Sequence, residues 1–417
     1  MDKKRIDLQI LVSMMMFSKT ILIRSTKMQA AEILHKYLSK VMHKTRLTTL
    51  SLLVGSLFHA KFFSLTSMGR ALKTDAQERS AIRRVDRFLG NKRIQEDRLA
   101  IYRTICRLII GGSKRPLIIV DWSLIPHKTN SVLRAALVTT GRALTLYEEI
   151  HPQKKYTNSK VHLRFLKKLK SMLDDDVKPI VISDAGFHIP WFEAVSKQGW
   201  DYVGRIRGNK YYRLTTKEKW SAISSLHHDA TSKPTFLGEI ELCKDSGFIT
   251  NLISYKSKKR GRKAKTKQGH IKQNGQSLKH AKGAGEPWLL VSSIPESSRI
   301  AEKIVKIYRR RMQIEEGFRD LKSTKFGFGF EHVNTQHIYR LNVFFLIAML
   351  ATFLAWLIGW LAEKSKLHFQ YQANSIKKIR VLSLFYLGCR ILIRGSNRIK
   401  NAFILSVADC FPDFSEV

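Results

Sequence analysis

The chain has 417 residues, enough for one large domain or two to three ordinary ones with buried cores. Its 74 Lys and Arg against 33 Asp and Glu leave a formal charge of +41, a self-repelling surface that calls for a polyanionic partner. Nucleic acid is the first partner class, and a basic membrane-surface or ribosome-associated role is the alternative. The four cysteines, Cys106, Cys243, Cys389 and Cys410, lie far apart without a CxxC pair or a histidine cluster, which argues against a zinc site and a disulfide framework and suits a reducing cytoplasm.

The run "LQILVSMMMF", Leu8 to Phe17, follows a basic start and faintly resembles a signal peptide, but no small-residue cleavage site follows it. The segment after it reads as helical and basic. In "SAIRRVDRFLGN" the apolar Ile82, Val85 and Leu89 fall on one stripe, Arg83, Arg84 and Arg87 remain for solvent or phosphate, and Gly90 supplies a stop. An ordinary amphipathic surface helix and a DNA-contacting helix are both open here.

From Pro116 the pattern changes. "PLIIVDWS" is a short apolar run ending in an acid, and "SVLRAALVTTGRALTLYEEI" reads as two strands about a turn at Gly141. "NSKVHLRFLKKLKSMLDDD" is a helix with Val161, Phe165, Leu169 and Leu173 as its apolar positions. "KPIVISDAGF" repeats the theme of a buried strand running into an aspartate. "PWFEAVSKQGW" is helical from Pro190, and "DYVGRIRG" is strand again. This order implies an α/β fold with a mixed sheet, whose sites lie at strand carboxyl ends, where Asp121 and Asp184 fall.

From Asn209 to about Gly285 come short β-like pieces, "TFLGEIEL" and "FITNLISYKS", and then "KSKKRGRKAKTKQGHIKQNG". The last is too polar and too like-charged to pack and reads as a mobile basic loop, either phosphate-binding or solvated. "EPWLLVSSIP" returns to strand. The helix "YRRRMQIEEGFRDLKS" follows, and at about 100° per residue its Ile307, Ile314, Phe318 and Leu321 share one sector while Arg311, Glu315 and Lys322 line up beside it. Glu316 points about 100° away from Glu315, on the side of Asp320, and is expected to be a solvated acid.

Asp121, Asp184 and Glu315 would make an all-oxygen constellation of the kind that holds Mg2+, with Tyr308, Arg311 and Lys322 placed to grip a phosphodiester backbone. Structural or solvated acids are the alternative. "VFFLIAMLATFLAWLIGWLA", Val343 to Ala362, meets the length of a membrane span of about 20 residues. A helix buried in a large core is the favoured reading, since no second span accompanies it.

The spaced set Tyr308, Arg311, Glu315 and Lys322, preceded by "VDWS" and "SDAGF", resembles the signature of the DDE transposases of the insertion sequence 4 family, particularly the transposon-ten type. "RMQIEEGFRDLKS", "GRALTLYEE" and "RVDRFLGN" also look like that group, and the similarity runs from about residue 30 to beyond residue 390. The resemblance implies a ribonuclease-H-like mixed sheet, formed by residues 113–208 and 286–335, with a β-rich insertion and basic loop at 209–285. Flanking it would be a helical DNA-binding region at 28–112 and a helical C-terminal region at 336–417 that contributes core and dimer surface. Residues 1–27 have no counterpart, so Met28 is the expected native start.

By the same resemblance Asp121, Asp184 and Glu315 are the catalytic acids, binding two Mg2+ ions with Mn2+ able to substitute, and Tyr308, Arg311 and Lys322 grip the transposon end. Trp288 matches a tryptophan that stacks on a flipped base, with a buried strand tryptophan as the alternative. Arg205 and Arg207 match a basic strand near the DNA, with a structural salt bridge as the alternative. The implied activity is cut-and-paste transposition of a bacterial insertion sequence: nicking at the terminal repeat, hairpin formation, hairpin opening and joining to target DNA, carried out by a homodimer on double-stranded DNA in the cytoplasm, not at a membrane. A catalytically inactive DNA-binding relative and a non-transposing metal-dependent nuclease are the alternatives.

Overall fold

The structure, a computed structural model, describes residues 26–126, 129–257, 270 and 285–394. Most of the expected N-terminal extension, most of the basic loop, and Cys410 therefore lie outside the described residues.

Among the described residues five helices come first: α1 (Thr26–Leu38), α2 (Lys44–Leu57), α3 (Leu65–Arg70), α4 (Glu78–Leu89) and α5 (Lys92–Ile110). The stripe expected on α4 buries Val85 and Leu89, with Ala81 and Phe88 alongside, while Ile82 is only half-buried. Asn91 starts α5 as an N-cap, its side chain accepting from the Arg93 amide at 2.8 Å.

The apolar run after Pro116 forms β1 (Leu117–Leu124), followed by β2 (Asn130–Val138) and β3 (Ala143–Pro152). These three make an antiparallel meander. Gly141 sits at the β2–β3 turn with φ +82°, the left-handed conformation that a residue with a Cβ rarely adopts. The chain then crosses through α6 (Ser159–Lys170) to β4 (Ile180–Ser183), which pairs in parallel with the other edge of β1, and through α7 (Ile189–Lys197) to β5 (Asp201–Ile206), parallel to β4. Connections through helices are what parallel neighbours require.

The expected insertion does not form a separate layer. Its strands β6 (Tyr211–Leu214), β7 (Ser221–Ala222), β8 (Thr235–Leu242) and β9 (Phe248–Tyr255) extend the same sheet through β10 (Trp288–Ser292). The complete order is β3-β2-β1-β4-β5-β10-β9-β8-β6-β7, ten strands in one mixed sheet. The first five, with two parallel pairs and an antiparallel meander, are compatible with a ribonuclease-H-like core. The antiparallel pairing of β10 with both β5 and β9 leaves no break at which a second sheet could begin.

After β10 come α8 (Ile300–Arg309) and α9 (Met312–Lys322), then α10 (Ile338–Lys364) and α11 (Leu384–Arg394). By length and composition α10 could cross a membrane, with a mean hydropathy of 2.4, yet 94% of its most apolar window is buried within this chain. A helix apolar on every side needs neighbours on every side. It has them in α11, β3, α2, α4 and α5.

Candidate active site

The parallel register of β1 and β4 pairs Val120 with Ser183, so the next residues, Asp121 and Asp184, are lateral neighbours. Adjacent strands stand about 4.8 Å apart, close enough for two carboxylates to interact strongly. Asp184 directly follows the last residue of β4. Asp121 is not at the end of its strand, because β1 continues to Leu124 by pairing with β2; it lies where pairing with β4 stops. Asp184 Oδ1 accepts from the Gly186 amide at 2.8 Å, and a Cβ on Gly186 would lie 3.0 Å from that oxygen. The turn is thus close-fitted around the acid. Asp121 Oδ1 accepts from the Trp122 amide at 2.8 Å.

Glu315 arrives from the other side, and here the expectation of one continuous helix needs correction. The helix breaks at Arg310 and Arg311, where the amides of Arg310 and Arg311 donate to the carbonyls three residues back, Ile307 and Tyr308. This tightening turns α9 relative to α8. Tyr308, on α8, is buried with 3% exposure and meets Trp288 edge-on at 5.0 Å, whereas Arg311, Glu315 and Lys322 face a cleft. The cleft holds about 760 Å3, and Asp121, Asp184, Arg311, Glu315 and Lys322 are among its lining residues.

Its electrostatics centre on Arg311. The guanidinium lies 3.2 Å from Asp121 Oδ2 and 2.6 Å from Glu315 Oε1. Burial works against this charge, but Tyr308, Asp121, Glu315 and Asp184 hold the arginine's pKa above its usual value. Asp121 is pushed up to about 7, first by burial and then by the Asp184 charge, against the opposing pull of Arg311. Lys322 donates to Ser123 Oγ at 2.8 Å and to the Leu124 carbonyl at 2.7 Å, and burial, assisted by the Arg134 charge, lowers its pKa to about 8.

Among the described residues no three His, Cys, Asp or Glu side chains already converge on a point that could hold a metal ion. The donor chemistry nevertheless fits a hard divalent cation. Three carboxylates line the cleft, burial and then the Asp184 charge raise the pKa of Asp121, and the cation facing it is Arg311. Arg311 contacts two of the three carboxylates, Asp121 and Glu315.

The other expected contacts are distributed around this cleft rather than in it. Trp288 is half-buried between Tyr255, at 5.5 Å between ring centroids, and Tyr308, so it is not an open stacking platform in this conformation. Arg205 donates to the Pro287 carbonyl at 3.2 Å, and Arg207 is ion-paired with Glu286. Both arginines have structural partners, the alternative that the sequence left open. On α4, Arg83 and Arg87 are exposed and Arg84 is half-buried, with no ion pair to any of the three among the described residues.

Glu316, expected as a solvated acid, is half-buried and ion-paired, and Asp320 beside it is buried. The Arg142 guanidinium at the β2–β3 turn pairs with Glu316 at 2.9 Å and with Asp320 at 2.6 Å, because the hairpin reaches over α9, a contact that no local pattern announces. Sequence reasoning also missed Arg134 and Glu148. Arg134 faces Asp121 across β1–β2 and Glu148 across β2–β3, forms a buried pair with Glu148 at 2.7 Å, and lies 4.4 Å over the Phe318 ring. Alternation along the hairpin could have placed them on one face, but the bulge at Ala135/Ala136 shifts the register. Behind β1, the Trp122 indole donates to His162 Nε2 at 2.7 Å. Burial, then His188 and His151, lower the His162 pKa to about 4, so the ring is neutral and able to accept.

A family model described as transposase DDE domain matches residues 112–354, from just before β1 to within α10. No curated protein matches the chain.

Proposed function

The chain belongs to the transposase DDE domain family, and on that premise we propose that it is a cut-and-paste DNA transposase of the insertion sequence 4 family, transposon-ten type, acting on the terminal repeats of its own element. The observation that carries this reading is that Asp121, Asp184 and Glu315 line one open cleft together with Arg311 and Lys322. Among the described residues the cleft is open to solvent, and the chain's net charge of +41 favours a polyanion.

Asp121, Asp184 and Glu315 would hold two Mg2+ ions, with Mn2+ able to substitute. Such ions, when bound, activate an attacking oxygen and stabilise the leaving one in an in-line displacement at phosphorus. The protein's own groups supply the rest. Arg311 offers a bidentate fork to a phosphodiester, which exchanges one anionic partner for another at little electrostatic cost. Lys322 places a point charge at the far end of the same helix face. Tyr308 and Trp288 together form the wall where an unstacked base could be received once Trp288 is released from its present packing. Arg205 on β5 and Arg207 just beyond it would reach DNA on release from the Pro287 carbonyl and Glu286, and Arg83, Arg84 and Arg87 add phosphate contacts from α4. A homodimer working on double-stranded DNA in the bacterial cytoplasm completes the reading.

The test is incubation of the purified protein and Mg2+ with linear DNA carrying its own gene and flanks, beside Glu315→Gln and a matched exposed-acid control, Glu302→Gln. Release of an internal fragment with hairpin ends by wild type and Glu302→Gln, and not by Glu315→Gln, is the expected result. Cutting without hairpins or joining would identify a nuclease instead. Binding without cutting by every variant would identify an inactive DNA-binding relative.

A further inference from the structure

We propose that the tip of the β2–β3 hairpin, through Arg142, is the positioning device that sets the rotation of α9 and thereby aims Glu315 into the cleft. The inference rests on the transposase reading of that cleft.

Because α9 is broken from α8 at Arg310 and Arg311, the course of α8 does not dictate how α9 is rotated about its own axis. Three contacts from the hairpin help to, beside those that Arg311 makes with Asp121 and Lys322 with Ser123 and Leu124. Gln313 is buried, and its side-chain amide clasps the Thr139 backbone from both sides, Oε1 accepting from the Thr139 amide at 3.2 Å and Nε2 donating to the Thr139 carbonyl at 2.9 Å. Arg142 then pairs with Glu316 at 2.9 Å and Asp320 at 2.6 Å. Thr139 Oγ1 donates to the Arg142 carbonyl, so the tip is itself braced.

Residues 313, 316 and 320 follow the i, i+3, i+7 spacing of a single helical stripe. At about 100° per residue that stripe lies roughly 100–180° from Glu315 and Lys322, with Ile314, Phe318 and Leu321 on the longer arc between, against the sheet. The hairpin therefore grips α9 on one side and the cleft receives it on the other. A side-chain atom about 6 Å from the helix axis moves about 1.5 Å for each 15° of rotation, more than a catalytic constellation tolerates. The apolar arc alone would resist such a turn weakly, since apolar contact is non-directional. The ion pairs and the amide clasp are directional. Arg142 touches no reacting atom and is a positioning residue.

The experiment compares wild type, Arg142→Ala, Arg142→Lys and Asp320→Asn in the full chain bound to terminal-repeat DNA. Single-turnover cleavage is measured at saturating DNA, Mn2+ affinity by electron paramagnetic resonance, DNA affinity by titration, and folded fraction by circular dichroism at the assay temperature. The expected result for Arg142→Ala is a loss of roughly 10–100-fold in cleavage and in Mn2+ affinity, with DNA affinity within about twofold of wild type. Excess Mn2+ should restore part of the rate, Arg142→Lys should be intermediate, and Asp320→Asn should shift both readouts in the same direction as Arg142→Ala. Unchanged cleavage and Mn2+ affinity in folded Arg142→Ala overturns the inference while leaving the transposase reading standing, as does a loss that merely tracks the unfolded fraction. Wild type that neither binds Mn2+ nor cuts overturns the transposase reading, and this inference with it.

Discussion

The Arg311 guanidinium stands 3.2 Å from the Asp121 carboxylate, and its other nitrogen reaches Glu315 at 2.6 Å, so one side chain neutralises two acids on different elements. A cation that belongs to the chain thus occupies ground a divalent metal would need. Removing it should leave the acids short of positive charge and raise their affinity for an external ion. Arg311→Gln is expected to bind Mn2+ about tenfold more tightly than wild type in the absence of DNA, a change of about 1.4 kcal/mol. Isothermal titration of DNA-free protein checks this, and equal affinities would mean that Arg311 does not compete for the site.

Stability should depend on pH through Asp121. The folded protein holds its proton with a pKa of about 7, raised by burial and by Asp184, against an ordinary carboxylate value in the unfolded chain. Between about pH 4 and pH 7 the folded state binds more protons than the unfolded one, so stability falls as pH rises and the loss is complete above pH 7. Asp121→Asn, which has no proton to lose, should melt several degrees higher than wild type at pH 8 in metal-free buffer and differ little at pH 4. A lower Tm for the variant at pH 8 would contradict the assignment.

The buried Arg134–Glu148 pair should be costly to break and cheap to replace. Its side chains are 7% and 1% exposed, Tyr102 donates to the Glu148 carboxylate at 3.2 Å, and the arginine stacks on Phe318. Glu148→Gln or Arg134→Met alone leaves a buried charge without its counter-charge and should destabilise by about 3–5 kcal/mol. The double variant Arg134→Met/Glu148→Leu should recover most of that loss. Denaturant unfolding of the three variants reads the difference, and additive losses in the double variant would show that the pair is not coupled.

Helices α10 and α11 meet through two glycines. A Cβ on Gly359 would fall 1.9 Å from the Leu384 carbonyl oxygen, and one on Gly388 would fall 1.7 Å from that of Ala355. Backbone cannot yield there as a flexible side chain would. Gly388→Ala should prise α11 from α10 and expose it to protease, whereas Gly55→Ala, with nothing within 4 Å of its Cβ, should resist digestion as wild type does. Limited proteolysis followed by mass spectrometry gives the cleavage positions, and protection of α11 in Gly388→Ala would rule out the close approach.

Much of the site could be read before any coordinates, for definite reasons. Asp121 and Asp184 each follow a β-branched apolar run, and such runs become central strands whose carboxyl ends open onto clefts. Arg311, Glu315 and Lys322 keep their relation because all three lie at or beyond the helix break, where a wheel remains valid. Tyr308 lies before the break and packs on Trp288 instead of lining the cleft, although Ile307 beside it is buried as the wheel expects. Four i−3 hydrogen bonds, from the amides of Arg310, Arg311, Gln313 and Ile314, are a local distortion that propensity does not signal.

What the sequence by itself determined is therefore whatever period and composition carry: the strands, the amphipathic helices, the buried character of most of their apolar faces, an acid after each of two apolar runs and the polyanion-seeking charge. Only the tertiary structure decided which charge meets which. Arg142 lies 174 and 178 positions before its partners Glu316 and Asp320, and Arg311 is 190 residues from Asp121. Such pairings depend on strand register, on a one-residue bulge and on the angle of a helix break, each of which redirects side chains by a full face of a sheet or a large part of a helical turn. Local periodicity is blind to these choices because their energies arise between elements. The same acids and bases along the chain could serve a different arrangement until the hairpin closed over α9 and Arg311 settled between the carboxylates.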